Sequence, residues 1–262
     1  MKILVVDVGG NNLKISISGR TGDPIKVPSG PEMTAAEMAA AVRKVAKDWP
    51  YDRVSIGYPG PVVHGRPSAE PFNLGAGWMS FDFKKAFGKP VRVVNDAAMQ
   101  ALGSYEGGRM LFLGLGTGLG SALVVEGVVA PLELAHLPYR DGRSYEDYAG
   151  ERGLKRLGRK KWSRHVHRIV ALLQHGLQCD YVILGGGQAK RLEPLPRGVR
   201  VGDNAKAILG GIRLWDHGGP ARGLRLVADS PRTRVQRRRP RQQSGGPTAL
   251  AGEDAPETPS DS

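Results

Sequence analysis

The chain contains almost no cysteine and no long apolar run. Cys179 is the only cysteine among 262 residues, which excludes an intramolecular disulfide and a cysteine-based zinc cluster. No apolar run approaches the roughly 18 residues that a membrane-spanning helix needs. The apolar amino terminus is too short for a signal peptide and runs directly into Asp7, Gly9 and Gly10. We therefore expect a first β-strand there, a cytoplasmic protein and no membrane partner.

The charge balance is strongly basic, but no nucleic-acid-binding motif accompanies it. The formal net charge is +13, and residues 220–262 contribute eight arginines against five acidic residues. Such a surface could bind a polyanionic partner, but a basic, solvated surface is the favoured interpretation and nucleic acid is not expected. The stretch 155–164 concentrates six lysines and arginines. It could receive a long polyphosphate or be an ordinary exposed helix face.

Strands and helices alternate along the chain, and one pattern occurs twice. Residues 2–8 and 13–18 predict a hairpin around a glycine turn, and Thr34 with Glu37 predicts a capped helix over 34–49. Further strands are predicted at 53–57, 91–94, 110–115, 122–125 and 181–184, and further helices at 97–106, 145–157, 162–176 and 204–215. A strand, a glycine turn and a second strand recur near residues 9 and 117, which indicates a structural duplication.

Composition changes near the end of the chain. Residues 220–262 are rich in Pro, Arg, Gly, Ser and Gln and have few large apolar groups, so we predict that they are disordered. The duplicated remainder predicts two similar lobes, at 1–106 and 107–219, around a cleft.

Three glycine-rich loops are candidates for phosphate contact, at residues 9–12, 116–120 and 185–187. Glycine allows backbone N–H groups to approach a phosphate closely. None of the loops has the Gly-Lys-Ser/Thr ending of a Walker loop or the spacing of a dinucleotide fingerprint. Each could be a tight turn alone, but three together favour phosphate and nucleotide binding.

Two carboxylates follow predicted strands. Asp96 lies between a strand and a helix, where it could cap the helix or act as a general base. Asp7 ends the first strand beside the first glycine loop, where it could hold Mg²⁺ directly or through water.

Glu133 and His136 form a third candidate group. On a helix they would share a face and could bind a metal, but Pro131 and Pro138 flank them and favour a loop. Hydrogen bonding to sugar hydroxyls suits one carboxylate and one imidazole better.

Taken in order, these motifs resemble the ROK family of sugar kinases and repressors, within the actin-like ATPase superfamily. The resemblance covers about residues 2–216 and points to its polyphosphate-type glucokinases. It implies an α/β, two-lobed actin-like ATPase (ribonuclease H-like) fold with a central cleft. It also implies Mg²⁺ and either ATP or polyphosphate as donor, and a homodimer is one expected assembly.

The resemblance also assigns roles to individual residues. Asn95-Asp96 matches the family's pair in which the aspartate is the base and the asparagine binds sugar. The implied sugar-binding residues are Asn95, Gly60, Asn73, Glu133, His136 and Glu146. The implied phosphate- or nucleotide-binding residues are Asp7, Gly9, Gly10, Asn11, Lys14, Gly116, Thr117, Gly118, Gly185 and Gly186.

The chain departs from the family pattern in three places. Residues 139–144 contain no cysteine where many members carry a zinc motif, so no zinc is expected. Ala135 replaces a glycine of the Glu-x-Gly-His motif, and Asn11 replaces a small hydroxyl residue in the first loop.

The expected function is phosphorylation of a hexose, with glucose and its 6-hydroxyl as the family-based expectation. A ROK repressor would need a helix-turn-helix ahead of the first strand, and that strand is expected from residue 2. A non-catalytic protein that binds sugar or a polyanion is the other alternative.

Overall fold

A computed structural model describes residues 1–203, 205–216 and 225–226. Met1–Ser230 form one compact unit, and the segment beyond it lies outside the described residues. Within the described ranges, every helix is too short or too polar to cross a membrane. The division into lobes at 1–106 and 107–219 stays a prediction.

The elements follow one another as strands interrupted by a few helices. The strands are β1 Ile3–Val8, β2 Asn12–Ile17, β3 Ile25–Pro28, β4 Arg53–Tyr58, β5 Val62–Val63, β6 Arg66–Pro67, β7 Val91–Asn95, β8 Arg109–Leu115, β9 Leu119–Val125, β10 Val128–Leu132, β11 Pro138–Arg140, β12 Arg143–Ser144, β13 Tyr181–Gly185, β14 Val199–Val201 and β15 Arg225–Leu226. The helices are α1 Ala35–Val45, α2 Phe83–Phe87, α3 Asp96–Ser104, α4 Tyr145–Ala149, α5 Glu151–Gly176 and α6 Lys206–Arg213. Short 3₁₀ turns lie at Leu134–His136 and Ala189–Arg191.

Two sheets repeat the same topology. The first has the order β3-β2-β1-β4-β7, in which β1, β2 and β3 are antiparallel and β4 and β7 run parallel to β1. The second has the order β14-β13-β8-β9-β10-β15, in which β8, β9 and β10 are antiparallel and β13 and β14 run parallel to β8. A three-strand meander followed by two parallel strands therefore occurs twice. This confirms the predicted duplication and both glycine hairpins.

The alternation of side chains along β1 determines which face of the first sheet carries Asp7. Leu4, Val6 and Val8 belong to the core that also contains α1. Ile3 and Val5 belong instead to the core that contains α3. Because strand side chains alternate between faces, Asp7 shares the α3 face with Ile3 and Val5.

Helices α3 and α6 pack between the sheets. Their shared core includes Val5 of the first sheet and Phe112 of the second. The helices can approach closely because a Cβ at Gly103 would overlap the backbone of Lys206, and one at Gly210 would overlap the backbone of Met99. This packing brings the N-terminus of α3 to a point between the two sheets.

Several predicted boundaries need correction. The helix predicted over 34–49 has its Thr34–Glu37 capping box, but it ends at Val45 because a turn at Ala46 carries Trp49 back toward the core. The helices predicted at 145–157 and 162–176 divide at Gly150, where the backbone is extended, and again at a kink at Gly158.

The end of the chain also differs from expectation. The helix predicted at 204–215 is α6, and Asn204 lies outside the described residues. Predicted disorder over 220–262 also lies outside them, except at Arg225–Leu226. These two residues pair with β10 as a short strand, so the prediction is wrong there. The composition of the tail gave no sign of this backbone pairing.

Candidate active site

A buried ion pair lies at the carboxyl end of the first sheet. Asp7 and Lys14 are direct cross-strand partners on β1 and β2, and their side chains therefore share a face. Lys14 Nζ donates to Asp7 Oδ2 at 2.7 Å. The Asp7 side chain is 5% exposed and that of Lys14 is 28% exposed, so the pair is shielded from water on one side.

Asn95 and Asp96 lie where β7 passes into α3. Asn95 caps the helix by accepting a hydrogen bond from the Ala98 N–H at 3.1 Å. The Nδ2 of Asn95 donates to the carbonyl of Gly60 at 3.1 Å, which joins this end of β7 to the turn after β4. Asn95 therefore takes the capping role, and Asp96 is left in the first turn of the helix.

The environment of Asp96 favours its protonated form. Burial, followed by the charge of Asp7, raises the pKa of Asp96 to about 7. A hydrogen bond of 2.7 Å from the Ala97 N–H to Asp96 Oδ1 and the charge of Lys14 oppose this shift. A carboxylate with such a pKa can accept a proton near neutral pH.

The first glycine loop is held from two sides. The Gly9 N–H donates to the carbonyl of Asn12 at 3.1 Å and closes the β1–β2 turn. The Oγ of Ser29 donates to the carbonyl of Gly9 at 2.6 Å, and the Ser29 N–H donates to the carbonyl of Asn11 at 3.0 Å. Nothing in the sequence indicated this role for Ser29, because its partners are backbone groups of residues far away along the chain.

Asn73 lies against the same loop. A Cβ built on Gly10 would be 3.3 Å from the Asn73 Cβ, so the loop and residue 73 are neighbours. The exposed Asn73 follows Glu70, whose carboxylate accepts hydrogen bonds from the N–H groups of Trp78 and Met79 at 3.0 and 3.2 Å. Glu70 thus closes the 70–79 loop, and the sequence analysis missed this role.

The second glycine loop contacts both Glu146 and α3. Glu146 Oε2 accepts from the Leu119 N–H at 3.2 Å, and a Cβ on Gly118 would collide with this carboxylate. On the other side, a Cβ on Gly120 would be 3.0 Å from the Ala97 Cβ. The loop Gly116–Gly118 is therefore beside the helix turn that contains Asp96. Thr117 contributes its carbonyl, which accepts weakly from the Glu151 N–H at 3.4 Å.

The third glycine run packs against the base of the second loop. A Cβ on Gly186 would overlap the backbone of Leu115, and the Gln188 N–H donates to the Leu115 carbonyl at 2.9 Å. Gly185 ends β13 beside Gly114 of β8. Gln188 Oε1 is buried and has no hydrogen-bond partner among the residues described here. The second and third loops thus form one continuous backbone surface.

Glu133 and His136 flank a 3₁₀ turn in place of the predicted loop. Glu133 precedes the turn and His136 ends it. Their nearest charged atoms are 4.0 Å apart, and the side chains are 58% and 77% exposed. Partial desolvation raises the pKa of Glu133, His136 lowers it and the charge of Glu146 raises it. The N–H of Tyr145, next to Glu146, donates to the Leu137 carbonyl at 3.0 Å directly after this turn, so the two segments are neighbours.

The donor set fits a magnesium ion that is mainly bound by phosphate and water. Among the described residues there is no cluster of three or more His, Cys, Asp or Glu side chains that could hold a metal alone. Asp7 offers a carboxylate at the end of β1, and Lys14 occupies only its Oδ2. Mg²⁺ commonly binds through one or two carboxylates together with substrate phosphates, and Asp7 fits that pattern.

The predicted residues fall into two groups that meet at the start of α3. The group on the first sheet contains Asp7, Lys14, Gly9, Gly10, Asn11, Gly60, Asn73, Asn95 and Asp96. The group on the second sheet contains Gly116, Thr117, Gly118, Glu133, His136, Glu146, Gly185 and Gly186. The contact between Ala97 and Gly120 joins them. A partner of Glu146 that the sequence analysis missed is Arg152, whose guanidinium is 3.4 Å from the carboxylate.

Comparisons with known proteins find relatives in sequence and in fold. No family model matches the chain. The polyphosphate glucokinase of Mycobacterium tuberculosis is 26% identical over 211 residues, covering 72% of this chain and 78% of that protein. The inorganic polyphosphate/ATP-glucomannokinase of Arthrobacter sp. strain KM superposes with a TM-score of 0.70 at 26% identity, covering 80% of this chain and 96% of that one.

A more distant structure supports the fold. The ROK family glucokinase of Streptomyces griseus, in complex with glucose and AMPPNP, superposes with a TM-score of 0.62 at 17% identity and covers 86% of this chain and 93% of that one. The predicted α/β actin-like ATPase fold is thereby confirmed. The chain is therefore similar in sequence to the polyphosphate glucokinases and shares its fold with solved sugar kinases of the ROK family.

Proposed function

We propose that the chain transfers a terminal phosphoryl group from polyphosphate or ATP to the 6-hydroxyl of a hexose, with glucose as the first candidate. The observation that carries this proposal is the position of Asp96. It starts α3 between the two groups of site residues, and its pKa of about 7 suits a general base. The names of the relatives, polyphosphate glucokinase and polyphosphate/ATP-glucomannokinase, support the choice of donor and sugar.

The glycine loops are the proposed donor site. The N–H groups of Gly9 and Gly116 donate to the carbonyls of Asn12 and Gly118 within their own turns. The other backbone N–H groups of loops 9–12 and 116–118 are therefore the proposed phosphate contacts, and the run at 185–186 would extend this surface. Lys14 adds a positive charge at the first loop. Asp7 would hold Mg²⁺, whose chemistry is to neutralise charge on the donor phosphates.

The sugar is proposed to lie beside Asp96, next to the donor loops. Asn95 and Gly60 are joined by a hydrogen bond at that end of the first sheet, and Asn73 lies nearby against Gly10. From the second sheet, Glu133, His136 and Glu146 would contribute a carboxylate–imidazole set that suits several hydroxyls.

In the proposed reaction, the sugar hydroxyl oxygen attacks the terminal phosphorus and the bond to the bridging oxygen breaks. The ionised Asp96 carboxylate accepts the hydroxyl proton. The products are a hexose 6-phosphate and either ADP or a polyphosphate shortened by one unit. Positioning and charge neutralisation dominate such transfers.

The test is production of sugar phosphate by the full chain with Mg²⁺, using glucose and mannose and, separately, ATP and polyphosphate. Asp96→Asn is expected to fold and to lose roughly 10²-fold or more in turnover. Asp48→Asn, an exposed aspartate on the first half of the chain, is the matched control and should keep wild-type turnover. Sugar binding without turnover would instead identify a non-catalytic sugar-binding protein.

A further inference from the structure

Four ring side chains form a cluster behind α4. Tyr139 lies 5.4 Å from Tyr145 and 5.0 Å from Tyr148, measured between ring centroids. His165 of α5 lies 5.8 Å from Tyr139, perpendicular to it, and 4.6 Å from Tyr148. The Tyr139 hydroxyl and His165 Nδ1 are 3.1 Å apart and form a hydrogen bond. We call these four residues the ring cluster; they come from β11, α4 and α5.

The ring cluster supports the helix that contains Glu146. Tyr145 and Tyr148 lie on either side of Glu146 in the five-residue α4. A helix this short is not stable in isolation, so contacts at its back must fix its orientation. The Tyr148 hydroxyl donates to Asp141 Oδ2 at 2.8 Å, and Trp162 Nε1 donates to the Ala149 carbonyl at 2.9 Å.

The same cluster reaches the turn that contains Glu133 and His136. The Tyr145 N–H donates to the carbonyl of Leu137 at 3.0 Å, directly after that turn. Tyr139 follows two residues later at the centre of β11. The hydrogen bond between Tyr139 and His165 therefore links this sugar-side segment to the long helix α5.

The surroundings of His165 favour a neutral imidazole. Burial, followed by the charges of Arg140, Arg164, Arg156 and Arg168, lowers the pKa of His165. Arg140 comes from β11 and the other three guanidinium groups from α5. Asp141 is the nearby carboxylate, and the Tyr148 hydroxyl engages it. Protonation would add a positive charge beside four others and would make His165 Nδ1 a donor, so that the Tyr139 hydroxyl could only accept in this hydrogen bond.

We propose that the Tyr139–His165 pair positions Glu146 and the Glu133–His136 turn for sugar binding, and that sugar affinity declines when His165 becomes protonated. The proposal rests on the proposed function, since it concerns the sugar side of the same site. Tyr139 and His165 are positioning residues, because they touch the elements that hold the site rather than the sugar.

The experiment measures KM for glucose and kcat in the full chain for Tyr139→Phe, His165→Phe and the double variant. Each single change removes one hydrogen-bonding group and keeps a ring of similar size. We expect KM to rise about three- to tenfold in each, with a smaller change in kcat. Because the two groups act as a pair, the double variant should be no worse than the poorer single variant. The matched control is His167→Phe on the same helix, whose Nε2 contacts the carbonyl of Pro194 at 2.8 Å, and its KM should not change.

The conservative variant His165→Gln, measured at several pH values, distinguishes a positioning role from a simple loss of structure. His165→Gln keeps a hydrogen-bonding group that cannot be protonated, so its KM at pH 8 should be close to that of the wild type. Because the pKa of His165 is lowered from its usual 6.5, the comparison must extend below that value, and between pH 8 and pH 5 the wild-type KM should rise more than that of His165→Gln. Comparing the two chains at each pH removes the contribution of Asp96, which both contain.

The outcomes are distinguishable. Suppose that the wild type phosphorylates the sugar. The positioning role would then be overturned if KM were unchanged in His165→Phe and Tyr139→Phe, or if KM rose as much in His167→Phe as in those two variants. Either result would leave the assignment as a kinase intact. Identical pH profiles for the wild type and His165→Gln would overturn the protonation effect. Absence of hexose phosphorylation by the wild type would overturn the proposed function, and the sugar-positioning role with it.

Discussion

Removing the positive charge of Lys14 should destabilise the chain strongly. In Lys14→Met the Asp7 carboxylate, 5% exposed in the folded chain, loses the ammonium that is 2.7 Å away. Removing one partner of a buried pair leaves an uncompensated charge, which typically costs 3–5 kcal/mol. Because Lys14 is partly exposed, we expect a loss at the lower end of this range, so that the free energy of unfolding of Lys14→Met falls by about 3 kcal/mol.

The measurement is urea-induced unfolding at pH 7.5, followed by circular dichroism. The double variant Asp7→Asn/Lys14→Met removes both charges and should recover part of the lost stability. Lys14→Arg keeps the positive charge and should lose less stability than Lys14→Met. A loss below about 1 kcal/mol in Lys14→Met, the range of an exposed ion pair, would refute the argument that the pair is shielded.

Four further predictions concern Asp96 and the packing around α3 and α6. If Asp96 is the base, kcat/KM should fall about tenfold per pH unit below about pH 7; a flat profile from pH 8 to pH 5.5 would contradict the assignment. Because folding raises the pKa of Asp96, the folded chain binds the Asp96 proton more tightly than the unfolded chain does. The stability that this adds to the folded chain is fully present below the pKa of Asp96 in the unfolded chain and is lost as pH rises through about 7. Asp96→Asn should therefore unfold at a higher urea concentration than the wild type at pH 8, and an equal or lower midpoint would count against a desolvated carboxylate. Ser55→Ala removes a buried hydroxyl that donates to the Gly211 carbonyl at 2.6 Å and accepts from Trp215 Nε1 at 2.8 Å, so unfolding should become easier by about 2 kcal/mol; a change near zero would show that α6 does not need this tie to β4. Gly103→Ala should prevent the close approach of α3 and α6 and lower the melting temperature by more than about 5 °C, which corresponds to roughly 2 kcal/mol for a chain of this size. The matched change is Gly116→Ala, which has open space around it and should leave the melting temperature nearly unchanged.

The local parts of the fold were predictable because their signals are contiguous in sequence. The β1–β2 hairpin follows from an apolar run, a glycine turn and an alternating strand, and the recurrence at β8–β9 revealed the duplication. The position of Asp96 followed from the change of pattern between β7 and α3. These features depend on neighbours within a few residues.

Contacts between distant segments could not be predicted in the same way. The close packing of α3 on α6 depends on Gly103 and Gly210, which carry no periodic signal. Ser29 and Glu70 stabilise loops through backbone groups that the chain brings near only after folding. The tyrosines of segment 139–148 were visible, but their partner His165 lies in another helix.

The division at Gly150 was missed for a related reason. The stretch 145–157 is mostly helical in composition but contains Gly150 and Gly153. The backbone is extended at Gly150, and the next N–H, that of Glu151, donates to the carbonyl of Gly116 at 3.0 Å. This bond ties the start of α5 to the second glycine loop. A long-range hydrogen bond therefore contributes to where α4 ends, and with it to the orientation of Glu146.

The central claim is that this chain phosphorylates a hexose with Asp96 as the base. The most direct measurement is formation of glucose 6-phosphate by the full chain with Mg²⁺ and either polyphosphate or ATP, compared between the wild type, Asp96→Asn and Asp48→Asn. The account predicts turnover in the wild type and Asp48→Asn and a loss of roughly 10²-fold or more in Asp96→Asn. Near-normal turnover in Asp96→Asn would contradict the assignment of the base, and a folded wild-type chain that phosphorylates no hexose would contradict the proposed function.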